Sequence, residues 1–287
     1  MQPFLKGLKV LDLSMRLPGP LATYSLNLSG AEVTKIENID WGKDPFREKV
    51  PGLENFNDWY QNLNSCKKIV EISFKENQEE LIKEISDSDI IIAPHSKRLK
   101  ALIESHSKGV CIFLDSSKTL GGMHDLNALA LTETFKSHFI DTLSPPYLPF
   151  AGIAFAQLVS QQALAGVIAR KHDEVISDVI YLDEAAKSIL DSLASNHGPR
   201  VLNNGAFPCY QIYPLKDGGH ACLAAVEEHY WAEFCEVFQL EFSAKDRMDA
   251  SGKVEKVIRK LFTNLSTSEI KEKIDNRRFC LTLIDIE

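Results

Sequence analysis

Residues 8–37 read LKVLDLSMRLPGPLATYSLNLSGAEVTKIE. The first seven, LKVLDLS, are short, apolar and rich in strand formers, so they predict a strand. The run LPGP at 17–20 is turn chemistry. In the stretch that follows, Leu21, Tyr24, Leu26 and Leu28 give a roughly helical apolar face, and Gly30 stands where a helix-terminating glycine belongs. EVTKIE at 32–37 predicts a second strand. Strand, helix and strand in this order form a β-α-β unit, which implies parallel strands.

Outward from this unit the alternation continues. After a polar stretch at 38–65, read as irregular, strands are expected at 68–74, 89–93 and 110–115, with helices at 78–85 and 98–105. Longer helical patterns cover 125–138 and 150–170, followed by a strand at 178–181 and a helix at 184–194. This is the layout of a Rossmann-like, doubly wound parallel sheet. Residues 195–204, SNHGPRVLNN, are polar and contain Gly and Pro, so they read as a linker. Beyond it the pattern changes. Strands at 210–213 and 220–225 flank the turn sequence KDGG, a hairpin signal. Helices follow near 229–238, 252–262 and 266–274, and an apolar strand closes the chain at 279–286. The expected fold class is α/β: a large Rossmann-like domain over 1–194 and a smaller α+β domain over 205–287.

Composition bounds the function. The chain has 287 residues, 44% of them hydrophobic and 25% charged, which suits a globular protein with a sizeable core. Its net charge of −8 argues against a general nucleic-acid binder, which needs a basic face. No apolar run of about 20 residues is apparent, and the N-terminus shows no signal-peptide pattern. The expectation is a cytoplasmic protein with no membrane contact. The six cysteines are scattered without a C-x-x-C pair, and the eight histidines lack metal spacing. Free thiols and no metal site follow as expectations.

The opening string, with its order LKVLDLS, PGPLA and SGAEVTKIE, resembles the start of family III CoA-transferases and their relatives, the α-methylacyl-CoA racemases. GKDPFR at 42–47, NSCKKIVEISF at 64–74 and MHDLNALAL at 123–131 are similar to further family segments in the same order. So is the stretch GAFPCYQIYPLKDGGHACLAAVEEHYWAEF at 205–234. The likeness covers nearly the whole chain, thinly between 97 and 121. It implies a CoA thioester as substrate, no separate cofactor, and an interlocked homodimer. Family members are usually longer. The returning segment at the end of the chain is missing, so the first sheet is expected to be incompletely covered unless a partner or dimer mate covers it.

Residue by residue, the resemblance assigns His124 as a catalytic base, with Asp125 beside it and Glu227 completing an acid–base site. Histidine suits α-proton exchange because its pKa lies near neutral. For CoA phosphates the candidates are Arg16, Arg47, Lys67 and Lys68. Three places depart from the pattern, one being Asn38, where the family often has a basic residue just after the Lys-x-Glu strand. Pro149, in YLPFAG, stands where the family has the aspartate that is a second base in racemases and the nucleophile in transferases. Asp141 and Glu133 are possible substitutes, with nothing in the spacing to choose between them. Ala93-Pro94-His95 replaces a Glu-Asn-Phe segment. The ranking that follows places an acyl-CoA racemase first, a non-catalytic binding or regulatory subunit second, and a CoA-transferase last.

Each assignment has a plain structural reading beside it. His124 is then a capping or core histidine, Glu227 serves a helix dipole, and Lys67 and Lys68 are strand-edge charges. Tyr230, Trp231 and Phe234, at helical spacing, are core. Cys66 is a bystander thiol.

Overall fold

In the computed structural model the residues described are 2–40, 42–49, 51–120, 122–135, 145–171, 174–194, 202, 205–274 and 279–284. They group into two compact units, divided in sequence at 194 and 195. Most of the expected linker, residues 195–201, 203 and 204, lies outside the described residues.

The first unit is built on β1 (Lys9–Asp12), β2 (Glu32–Asn38), β3 (Lys68–Ile72), β4 (Ile90–Pro94), β5 (Val110–Asp115) and β6 (Ile176–Tyr181). They form one sheet in the order β3-β2-β1-β4-β5-β6, with every pairing parallel. This is the doubly wound arrangement, and its strand order reverses between β1 and β4. The alternation of side chains along each strand feeds two cores. On one face Val10, Val33, Ile90, Ile92, Val110 and Ile112 pack with α1 (Pro18–Leu28), α5 (Asp125–Ala130), α6 (Phe150–Ala169) and α7 (Leu182–Leu190). On the other, Leu11, Ile36, Ile91, Cys111 and Phe113 pack with α3 (Gln78–Ser86) and α4 (Lys97–His106).

The predicted β-α-β unit stands, except that Pro18–Pro20, expected as turn, form the start of α1. Gly30 follows the end of α1 with φ 101°, a left-handed conformation that only glycine adopts without strain. Three other expectations change. Within the stretch read as irregular, α2 (Glu54–Asn64) is a full helix. Its inward face is half polar, with Asn57 and Asn64 buried beside Tyr60 and Leu63, so hydrophobic periodicity does not reveal it. Asn57 Nδ2 bonds the Arg47 carbonyl at 2.7 Å, which makes its burial tolerable. The helix expected at 125–138 runs only to Ala130, and residues 136–138 lie outside the described ones. Finally, α6 is a 20-residue helix without a charged side chain, long and apolar enough to meet the length criterion for a membrane span. It packs as a core helix. Ala151, Phe155, Val159 and Ala163 face the sheet, while Gln157, Gln161 and Gln162 are exposed.

The second unit is a three-stranded antiparallel sheet in the order β7-β8-β9, from Tyr210–Pro214, His220–Ala224 and Leu281–Ile284. Helices α8 (Glu228–Phe238), α9 (Lys253–Phe262) and α10 (Thr267–Ile274) surround an aromatic core of Trp231, Phe234, Phe238, Phe262 and Phe279. Tyr230 packs against that core, as the helical spacing indicated. All six cysteines are unpaired thiols.

What joins β1, α1, α2 and β3 is electrostatic as well as apolar. The Lys67 ammonium, with no exposed surface, meets Asp12 Oδ2 at 3.0 Å. It also reaches the Pro20 carbonyl at 2.9 Å, Thr23 Oγ1 at 2.8 Å and Asn64 Oδ1 at 2.8 Å. Burial pushes the Asp12 carboxyl up. Lys67, Lys35 and the hydroxyls of Ser14 and Thr23 outweigh it and hold the carboxyl well below the usual carboxylate range. Removing one partner would strand a buried charge, which costs about 3–5 kcal/mol. Lys67→Met is therefore expected to lower the free energy of urea unfolding by about that amount, and Lys67→Met with Asp12→Leu by clearly less. Because folding lowers the Asp12 pKa, its contribution is present above its ordinary value of 3.8 and is lost as pH falls below it. The urea midpoint should drop on that side of pH 4, and less steeply in Asp12→Asn.

Candidate functional site

In open α/β sheets the crevice for a ligand lies beyond the carboxyl ends of the strands, where their order reverses. Here that is the end of β1 beside the end of β4, tied together by Leu13 N–H donating to the Ile92 carbonyl at 2.8 Å. The chain leaves β1 through residues 13–17 and enters α1 at Pro18. Gly19 is required at this turn. A β-carbon there would lie 2.0 Å from Ser14 Oγ.

Arg16 occupies this loop with φ 66°. Among the described residues only Gln239 and Cys280 share a positive φ without being glycine. Gln239 merely ends α8 in the common left-handed cap. Arg16 ends no helix, and such a conformation costs about 1–3 kcal/mol unless surroundings impose it. The surroundings do so here. Arg16 N–H donates to Asp44 Oδ2 at 2.8 Å. Asp44 is in turn fixed by its own N–H to Glu37 Oε2 at 2.8 Å and by Phe46 N–H to Oδ1 at 3.0 Å. Lys35 Nζ stands 3.6 Å from Asp44 and donates to the Ser14 carbonyl at 2.7 Å. Tyr60 closes the network by donating to Glu37 Oε1 at 2.8 Å.

The four candidates for CoA phosphates therefore differ. Lys67 is neither a strand-edge charge nor a free cation. Its ammonium has more acceptors around it than protons to give, so it belongs to the fold. Arg47 Nη1 lies 2.8 Å from Glu71, which Lys43 also reaches at 2.7 Å. Lys68, on the edge strand β3, is exposed and 4.0 Å from Glu84, the strand-edge position of its plain reading. Arg16 is exposed, and its guanidinium makes no hydrogen bond or ion pair among the described residues.

Beside the β1 loop lies the His124–Asp125 corner. His124 precedes α5, exposed, with its N–H donating to Asn127 Oδ1 at 3.1 Å. Asp125 is half-buried and accepts from Gly152 N–H at 2.6 Å and from the Ala151 amide. Burial pushes its carboxyl up, and those two amides oppose the shift. Pro149 is the residue before α6 and offers no side-chain cap. Asp125 thus fills the capping role at the α6 start from another element. A methyl group on Gly152 would meet Leu17 Cδ2 at 3.1 Å and Asp125 Oδ1 at 3.4 Å, so this corner abuts the β1 loop directly. Of the possible substitutes for Pro149, Glu133 follows α5 with its N–H on Asp191 Oδ1 at 2.7 Å, and Asp141 lies outside the described residues. Glu227 belongs to the second unit. It precedes α8, exposed, and its carboxylate does not cap that helix.

One pair escaped the sequence reading. His95, just past β4, places Nδ1 2.8 Å from Asp115 Oδ2 at the end of β5. The signal was positional: two polar residues at the carboxyl ends of adjacent parallel strands.

A model described as CoA-transferase family III matches residues 5–102 and 179–285. The chain belongs to this family. The match leaves out 103–178, and with it His124, Asp125 and Pro149. A succinyl-CoA:glutarate CoA-transferase from Homo sapiens is 35% identical over 83 residues, covering 29% of this chain and 19% of that protein. The chain thus aligns with about a fifth of that relative's length. A succinyl-CoA:mesaconate CoA-transferase from Haloarcula hispanica is 22% identical over 87% of this chain and 71% of its own. Among solved structures, a CAIB/BAIF family protein from Brucella suis superposes with a TM-score of 0.73 at 15% identity, covering 100% of this chain and 85% of that one. This likeness shows the fold.

The capping role of Asp125 is testable apart from any activity. Asp125→Ala should lower thermal stability by about 1 kcal/mol, the usual worth of a lost helix cap. Asp125→Asn keeps an accepting oxygen and should stay within about 0.5 kcal/mol of the native chain.

Proposed function

We propose that the chain binds a CoA thioester in the crevice between β1 and β4 and exchanges the α-proton of a 2-methylacyl group. The reading rests on one observation above others. Asp125 is anchored on the Ala151 and Gly152 amides, and Gly152 lies close to Leu17 of the β1 loop, which supports a role at the crevice for the adjacent, exposed His124. In this reading His124 takes the α-proton on one face and the electron pair moves onto the thioester oxygen. By the resemblance, the protonated carboxyl of Glu227 is the candidate acid that delivers a proton of its own to the α-carbon while His124 keeps the one it took. Transfer of CoA between acids needs a nucleophilic carboxylate, and Pro149 supplies none at the start of α6. That position also favours the second reading, a subunit that binds a CoA ester without turning it over. We read the working form as a cytoplasmic homodimer that uses no metal or separate cofactor.

Incubating a 2-methylacyl-CoA with the protein in heavy water and following the α-proton by NMR tests this. Deuterium should enter the α-position, and His124→Ala should slow it by about 10²–10⁴-fold. Binding of the ester without exchange would support the second reading. Failure of the native chain to bind any CoA ester in calorimetry would overturn both. Transfer of CoA from succinyl-CoA to glutarate would reverse the ranking of the activities.

A further inference from the structure

We infer that Arg16 is the residue that contacts the phosphates of the CoA moiety, and that Asp44 is the positioning residue that holds it ready. The inference rests on the CoA reading above and adds which side chain reads the phosphate end. The observations come from the loop itself. A non-glycine residue keeps a left-handed backbone at the point where the sheet order reverses. Glycine would suit that backbone better, and a side chain retained against conformational preference points to a use for it.

The charges around it sharpen the point. Lys35, Lys43, Arg47 and Lys67 each lie within 4.0 Å of a carboxylate. Arg16 is exposed and has no such partner among the described residues. Arginine is also the side chain whose planar fork of donors matches a phosphate. Asp44 acts one step back. It does not touch the guanidinium. It holds the Arg16 amide, while Glu37, Phe46 and Lys35 hold Asp44, so the loop is fixed by buried groups and its side chain is left to solvent.

Calorimetry with coenzyme A and with pantetheine, which lacks the nucleotide phosphates, separates this role from a structural one. Arg16→Gly should weaken coenzyme A binding about tenfold or more, leave pantetheine binding unchanged, and leave the melting temperature equal or higher. Arg16→Lys, which keeps charge but loses the fork, should fall between. Asp44→Asn should weaken coenzyme A several-fold in the native chain and add nothing in the Arg16→Gly background, the mark of one residue acting through another. Equal loss for coenzyme A and pantetheine in Arg16→Gly, or a lower melting temperature, would make Arg16 structural and overturn the inference. Asp44→Asn acting equally in both backgrounds would overturn the positioning role. A native chain that binds coenzyme A with Arg16→Gly unaffected would sink this inference alone. A native chain that does not bind coenzyme A would sink the CoA reading itself.

Discussion

The Lys67 ammonium is the point on which the first unit depends. It lies under the carboxyl end of β1, where a parallel sheet needs something to hold strand, turn and the following helix in register. It bonds Asp12 on β1, the Pro20 carbonyl and Thr23 on α1, and Asn64 on α2. Burying two charges is costly unless every remaining donor and acceptor is satisfied. Here Asp12 also accepts from Ser14 N–H at 3.0 Å and Thr23 Oγ1 at 2.6 Å, so its oxygens are well supplied. The pair also ties the turn after β1 to the strand, since the ammonium bonds Pro20 and Thr23 as well as Asp12.

From that pair the charges run outward in alternation. Asp12 and Lys67 lie beside Lys35, which faces Asp44 and Glu37. Farther out, Arg47 and Lys43 share Glu71. Each carboxylate has a cation near it, so little uncompensated charge remains inside. The consequence is local rigidity at the β1 loop. Loops beyond strand ends usually carry function while a scaffold positions them. In this chain the scaffold reaches into the loop itself, since the Asp44 carboxylate that neutralises Lys35 also fixes the Arg16 amide.

Much of this architecture can be read in the sequence, and the exceptions have physical reasons. The β-α-β unit, the strand alternation and the aromatic core of the second unit follow from short-range patterns that hydrophobic periodicity reports well. Helix α2 was invisible because Asn57 and Asn64 take places on its buried face that apolar residues would normally fill. Lys67 could not be separated from Lys68 by sequence. Both sit at the start of a strand, and only the packing of α1 and α2 decides that one is enclosed and the other, 68% exposed, is not. For the candidate site, His124, Asp125 and Glu227 were named from resemblance. The capping of α6 by Asp125 depends on a contact across 27 positions, which no local pattern contains. The His95–Asp115 pair has no local signal, because its meaning comes from the adjacency of β4 and β5.

The start of α6 joins these threads. A helix N-terminus exposes amides that need an acceptor, and a side chain at the preceding residue is the usual source. Proline at 149 removes that source, yet the amides of Ala151 and Gly152 are satisfied because Asp125 crosses from α5 to reach them. The proline is therefore compensated as structure. Whether it is compensated as chemistry turns on the same carboxylate. Two backbone amides stabilise its ionised form, while burial disfavours it, and the net shift is upward. A carboxyl so placed is engaged by the fold and is less available to attack a thioester than one at the end of a free side chain. Under the proton-exchange reading, His124 does the chemistry and Asp125 need only hold its position.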